Sequence, residues 1–189
     1  MKLFHRIVFG ALLAAAGLFL GGCGYHSGFL IPADVNTIHV RVVGNDTFWH
    51  EAVKVDNLPG SGQPSSSRPA YTMELDLTER LKNEVVRRTP LRIAPEDRAD
   101  SILEATIRRV EPSVLARDVN DDYASVGLVT ISADFTWRDR RTGRIHAEGK
   151  NIARPTTYTV ARGETFASAT RTSFDYIAER IVEQMQENF

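Results

Sequence analysis

The chain reads as an α+β fold: two amphipathic helices packed on one face of a mainly antiparallel sheet of four strands, or slightly more. Three observations predict it. Residues 126–138 alternate apolar and polar side chains over a long run, then meet a glycine-containing turn and a second strand-like stretch. Segments 71–88 and 163–188 carry apolar residues at helical spacing with charge on the opposite side. The order is strand, helix, short strand, three strands, helix, which leaves each helix beside strands that it can cover.

Taken in order, Thr37-Ile38-His39-Val40-Arg41-Val42 alternates, placing Ile38, Val40 and Val42 on one side and Thr37, His39 and Arg41 on the other. Asn45-Asp46-Thr47 closes this half-buried strand with turn chemistry. The stretch from Asn57 to Pro69 is rich in Gly, Pro and Ser and almost free of apolar side chains, so it is expected to be a flexible, dispensable loop inserted in the domain. Beyond it, Leu77, Leu81 and Val85 repeat at i+4 through the first helix, with Met73 and Leu75 alongside. Thr89-Pro90 ends that helix, since the residue before proline is disfavoured in the α region.

Leu91-Arg92-Ile93 is a short strand candidate. Asp100 to Val110 is a longer one, with Leu103, Ala105 and Ile107 on one face, and Pro112 is expected to stop it. The polar stretch 117–123 connects it to the next strand. There Val129, Ile131, Ala133, Phe135 and Trp137 line one face opposite Leu128, Thr130, Ser132, Asp134 and Thr136. Arg140-Arg141-Thr142-Gly143 supplies a turn, and 144–152 returns as the paired strand. The last helix buries Phe166, Ala169, Phe174, Ile177, Ile181 and Met185, and Glu164 is expected in its first turn, where a negative charge suits the helix dipole.

Ahead of this domain (36–189) stands a leader. Lys2 and Arg6 form a positive start, 7–20 are apolar, and Leu20-Gly21-Gly22-Cys23 has the small residues and cysteine of a lipoprotein processing site. Residues 1–22 are therefore expected to be a signal peptide and 23–35 a lipidated tether. The apolar run is shorter than the roughly 20 residues that span a bilayer. Cys23 is the only cysteine, which removes disulfides, cysteine metal sites and a thiol nucleophile together. Acyl chains on it add about 0.8 kcal/mol of membrane affinity per buried CH2. Gly24, rather than Asp, follows it, which resembles sorting to the outer membrane.

The chain holds 23 Lys+Arg against 24 Asp+Glu, and losing Lys2 and Arg6 leaves 21 against 24, a formal charge near −3. Charge is spread rather than massed, so no nucleic-acid footprint and no polybasic arm is present. There is no Gly-x-Ser-x-Gly elbow, no Ser-x-x-Lys and no His-Glu-x-x-His. Gly60-Ser61-Gly62 lacks the Lys-Ser/Thr of a phosphate loop. Trp49-His50-Glu51 lacks a second histidine at ligand spacing, and Asp121-Asp122 lies in a polar connection. No enzymatic activity, metal or cofactor is expected. The one charged cluster of interest is Arg138, Arg140, Arg141 and Arg144 at the hairpin tip. These guanidinium groups either bind phosphate or carboxylate, or simply solvate a turn that Asp139 partly neutralises.

Gly22-Cys23-Gly24-Tyr25-His26, Ile38-His39-Val40-Arg41-Val42-Val43, Asn45-Asp46-Thr47-Phe48 and Leu77-Thr78-Glu79-Arg80-Leu81 occur in this order, followed by the stretches 87–93, 99–107 and 138–145. With the closing helix, they make the chain resemble the LptE family, outer-membrane lipoproteins that partner the lipopolysaccharide-assembly barrel LptD. That resemblance implies a two-helix, four-stranded sandwich that plugs an LptD-type barrel, assists its assembly and contacts lipopolysaccharide through basic side chains. Arg138, Arg140, Arg141 and Arg144 are candidates from charge alone. A different periplasm-facing interaction lipoprotein, such as an activator of a cell-wall synthase, would share the anchor.

Overall fold

The structure is a computed structural model, and it describes residues 31–32, 34–47, 71–117 and 124–187. The processing site at Cys23, the 57–69 stretch, His50 and Asp121-Asp122 lie outside the described residues. The elements are strands β1 (Thr37–Val40) and β2 (Gly44–Asn45), helix α1 (Tyr71–Arg88), and strands β3 (Arg92–Ile93), β4 (Ser101–Arg117), β5 (Ala124–Asp139) and β6 (Ile145–Thr159). A 3-10 turn (Val160–Arg162) then leads to helix α2 (Phe166–Glu187).

The α+β reading holds. Six strands form one open sheet in the order β3-β1-β4-β5-β6, with β2 also paired to β4. β4, β5 and β6 pair antiparallel along their length, β4 and β5 from Ser101 opposite Asp139 to Arg117 opposite Ala124, with bulges that shift the register in both pairings. β1 runs parallel to both β3 and β4, and β2 runs parallel to β4, so the sheet is mixed. The mixed end arises because α1 carries the chain from the β1–β2 edge back to the start of β3, delivering each short strand in the same direction. At one end of the sheet, called the base below, β1, β3, β4 and β6 begin and β5 ends.

The alternating residues do what their period requires. Leu103, Ala105, Ile107, Val129, Ile131, Ala133, Phe135 and Trp137 are buried in one core with Leu77, Leu81 and Val85 of α1 and Phe174, Ile177, Ile181, Val182 and Met185 of α2. Buried aliphatic and aromatic side chains each contribute about 1.5–3 kcal/mol, so this layer dominates stability. Thr89 ends α1 by turning its hydroxyl to the Val85 carbonyl at 2.7 Å, and Gln186 of α2 donates to the Arg88 carbonyl at 2.8 Å, so both helices finish at the base.

Several expectations need correction. β4 does not stop at Pro112 but runs on to Arg117. Among the described residues β4 pairs from Arg109 onward with β5 alone, which leaves Pro112 on a free edge of the ladder, where proline is tolerated in a strand. β1 ends at Val40, and Val42 is 63% exposed while Val43 is buried, because the chain breaks alternation before β2. Leu75 faces outward, the buried α1 stripe being completed by Thr78 and Glu84. Glu164 lies ahead of α2 rather than in its first turn. Thr165 and Ser168 exchange backbone N–H to side-chain oxygen bonds of 2.9 and 3.2 Å there, a reciprocal cap. Glu164 instead accepts from the Thr159 N–H at 2.7 Å.

Gly127 is demanded by packing: a Cβ there would lie 2.2 Å from the ring of Tyr158, its cross-strand partner. Gly143, at φ +74, gives the β5–β6 turn its left-handed residue, as its sequence position predicts.

Candidate functional site

The face of the sheet away from the helices is built from the polar half of each alternation, and it is laced by ion pairs. Arg41, just past β1, bridges Glu96 and Glu104, and Arg138 of β5 reaches Glu104 at 3.2 Å. His39 sets Nδ1 3.0 Å from the Ala94 carbonyl and Nε2 3.8 Å from Glu96. The Arg41 guanidinium holds the Glu96 carboxyl below its usual value. Farther along, Arg108 pairs with Asp46 and, at 2.8 Å, with Asp134, whose other oxygen accepts the Asn151 N–H at 2.8 Å. That last bond supports Asn151 at φ 53, a bulge where β6 slips register against β5.

At the base, Asp100 ties three segments together. Its carboxylate accepts from the Thr37 hydroxyl (2.7 Å), the Thr37 N–H (2.9 Å) and the Asn36 N–H (3.1 Å), and its carbonyl accepts the Arg140 N–H at 2.9 Å. The Thr37 hydroxyl, then the Asn36 N–H, hold the Asp100 carboxyl below the usual aspartate range. Asp139 is occupied similarly. It accepts from the Thr142 N–H at 2.6 Å and hydroxyl at 2.8 Å, which depress its pKa.

The four arginines singled out in the sequence all lie on β5 or in its turn, in two different settings. Arg138 lies half-buried on the sheet beside Glu104. Arg140 donates Nε to the Ala99 carbonyl at 2.6 Å. Arg141 and Arg144 stand exposed on the turn. Sequence reasoning missed Arg98, exposed on the segment between β3 and β4 that this same turn touches, and it missed Asp100 as the tie. Asp100 and Thr37 are far apart in sequence, and no local pattern signals their contact.

Elsewhere the chemistry is sparse. A groove of about 520 Å³ between α1 and α2 is lined by both charges, including Asp76, Glu79, Arg80 and Asp175. At its edge Glu84, only 8% exposed, is paired with Arg87 and Arg88. His146 stacks near Trp137, ring centroids 4.8 Å apart, and burial pushes its pKa down. Burial pushes the Tyr158 phenol up, and its hydroxyl has no hydrogen-bond partner among the described residues. Among the described residues, no group of three or more His, Cys, Asp or Glu is placed to hold a metal ion, and no helix is long and apolar enough to cross a membrane.

No curated protein matches the sequence. Similar solved structures include a hypothetical protein from Chlamydia trachomatis, 9% identical, with a TM-score of 0.47 over 82% of this chain and 99% of that one. Lipoprotein B from Nitrosomonas europaea is 9% identical with a TM-score of 0.44, covering 84% of this chain and 87% of that one. A lipoprotein from Neisseria meningitidis is 14% identical with a TM-score of 0.33, covering 80% and 99%. At these scores the likeness carries no functional weight. The family model "LptE: Lipopolysaccharide-assembly" matches residues 35–188, a span that contains every element from β1 to α2. The chain therefore belongs to the LptE lipopolysaccharide-assembly family, a non-enzymatic family of lipoproteins.

Proposed function

We propose that the protein is an outer-membrane lipoprotein, anchored on the periplasmic face through acylated Cys23, that plugs and assists assembly of an LptD-type β-barrel and contacts lipopolysaccharide during its delivery to the cell surface. The match to the LptE family over residues 35–188 carries this reading. The surface chemistry supports it. The open sheet face and the outer helix faces present charges that largely neutralise one another within the domain, through Arg41, Arg108 and Arg138 on the sheet and Arg80, Arg88 and Arg180 on the helices. A rigid body with such a surface suits the wet, polar interior of a large barrel, where an apolar patch would have nothing to cover it.

The lipopolysaccharide contact is assigned to the basic hairpin tip, Arg138, Arg140, Arg141 and Arg144, of which Arg140, Arg141 and Arg144 are exposed. Affinity capture of the protein from detergent-solubilised outer membrane tests the partnership. A large β-barrel should co-purify in near-equal amount. Capture of a cell-wall synthase without a barrel would instead favour an activator lipoprotein.

A further inference from the structure

We propose that the base of the sheet is a bilayer-contact surface, on which Arg98, Arg140, Arg141 and Arg144 meet the phosphates of anionic phospholipids while Ile145 enters the headgroup layer. This deepens the reading of the same arginine tip and rests on Cys23 being the lipid anchor.

The chain's entry into the domain and the arginine turn meet at one residue. Asp100 holds the N–H groups of Asn36 and Thr37 with its carboxylate and the N–H of Arg140 with its carbonyl. The segment that precedes β1 is therefore held at the base beside the turn, and Ile31 ahead of it packs against the core. Seven residues lie between Cys23 and Ile31, which packs against the core, and even a fully extended chain of that length reaches at most about 30 Å. An acyl anchor at that distance holds the base, rather than the opposite end of the sheet, nearest the leaflet.

Charge at the base is sorted in the same sense. Asp100 and Asp139 spend their carboxylates on backbone N–H and hydroxyl donors, while Glu96 and Glu104 are engaged by Arg41 and Arg138. Among the acids there, Asp34 and Asp97 stand exposed, Asp97 3.9 Å from Arg98, and Glu187 at the end of α2 is paired with Arg180. The turn and the β3–β4 segment thus direct guanidinium groups outward. Ile145, 52% exposed, follows Arg144 directly. An apolar side chain flanked by basic ones is the composition that interfacial contacts use, and one acyl anchor plus a basic patch makes association firmer than either alone. Each arginine near an anionic leaflet strengthens contact roughly fivefold, and added salt screens it.

Because Cys23 is the only cysteine and acylation consumes its thiol, one engineered cysteine can carry a single environment-sensitive fluorophore. The acylated protein labelled at Ile145→Cys, or at Ser113→Cys near the far end of β4, is placed on phosphatidylcholine vesicles with or without phosphatidylglycerol. Headgroup-quencher lipids should quench the label at 145 several-fold more than the label at 113. The contrast should be larger with phosphatidylglycerol and should shrink at raised salt. Replacing Arg98, Arg140, Arg141 and Arg144 with Ala should abolish it, and replacing them with Lys should restore it, with folding checked by circular dichroism.

Equal quenching at both labels, or quenching at 145 indifferent to the arginines, would overturn the proposal. So would mass spectrometry showing no acyl chain on Cys23. Purified lipopolysaccharide titrated onto the labelled protein in detergent separates the two lipid sources. A response at 145 to lipopolysaccharide but not to anionic vesicles would overturn the bilayer contact and leave the glycolipid reading standing. Failure of a barrel to co-purify would not alter the vesicle result.

Discussion

The two faces of the sheet are made from alternate residues of the same strands, and they are held by different physics. On the covered face, Ile107, Ile131 and Trp137 meet Leu81 of α1 and Phe174 and Ile177 of α2 with essentially no solvent exposure. On the open face, Glu104 pairs with Arg138 and Arg41, and Arg108 pairs with Asp134 and Asp46. The first face stabilises through area removed from water and close packing, which do not depend on the screening of charge. The second consists of half-exposed ion pairs whose net contribution is small. The fold therefore rests on one face, while the other is open to substitution without loss of structure and so can be shaped by partners.

Removing a side chain from the covered face should have the largest effect. Phe174→Ala should destabilise the domain by about 3–5 kcal/mol, because both its transfer energy and a residual cavity count against the fold. Denaturant unfolding followed by circular dichroism measures it. A loss below about 1 kcal/mol, the range expected for the open face, would erase the distinction between the two faces.

An intermediate effect is expected at the base, where a charged group is bound by backbone donors. Asp100→Asn should cost about 1.5–3 kcal/mol at neutral pH, the range for hydrogen bonds to a charged group. The folded pKa of Asp100 lies below its unfolded value, so its contribution is fully present above the ordinary aspartate pKa and is lost as pH falls through the lower folded value. The difference between wild type and Asp100→Asn should accordingly begin to shrink below about pH 4, the ordinary aspartate value, and vanish only below the lower folded value. A gap that persists unchanged at pH 2 would show that Asp100 acts through shape rather than charge.

The smallest effect belongs to the open face. Arg108→Ala breaks the pairs to Asp46 and Asp134, yet should change stability by at most about 1 kcal/mol, and by less at high salt. Thermal unfolding at low and high ionic strength is the check, and a shift matching that of Phe174→Ala would show the ladder to be structural.

Much of this was legible in the sequence. The alternation over 126–138 identified Val129, Ile131, Ala133, Phe135 and Trp137 as the buried apolar set of β5, though not Ser132, which is buried too, and the i+4 run Leu77, Leu81, Val85 identified the apolar part of the buried stripe of α1. Periods of 2.0 and 3.6 are properties of the local backbone, so a solvent-avoiding pattern at either period reports both the element and its inward face. The order of weak motifs along the chain likewise sufficed to indicate the family, which the match over residues 35–188 shows.

The tertiary structure alone decided which strands are neighbours and which charges are spent. Pro112 lies within β4 on a stretch that, among the described residues, β2 does not cover, because β2 pairs β4 only at Thr106 and Ile107. Arg138 and Arg144 carry the same charge in one short segment, yet one is drawn into a pair with Glu104 and the other is left to solvent at the turn. Asp100 acquires its role only when Asn36, Thr37 and Arg140 converge on it. Burial preference is intrinsic to a side chain and can be read one residue at a time. Hydrogen bonds and ion pairs act over a few ångströms between groups that the chain brings together only by folding, so their partners are properties of the fold.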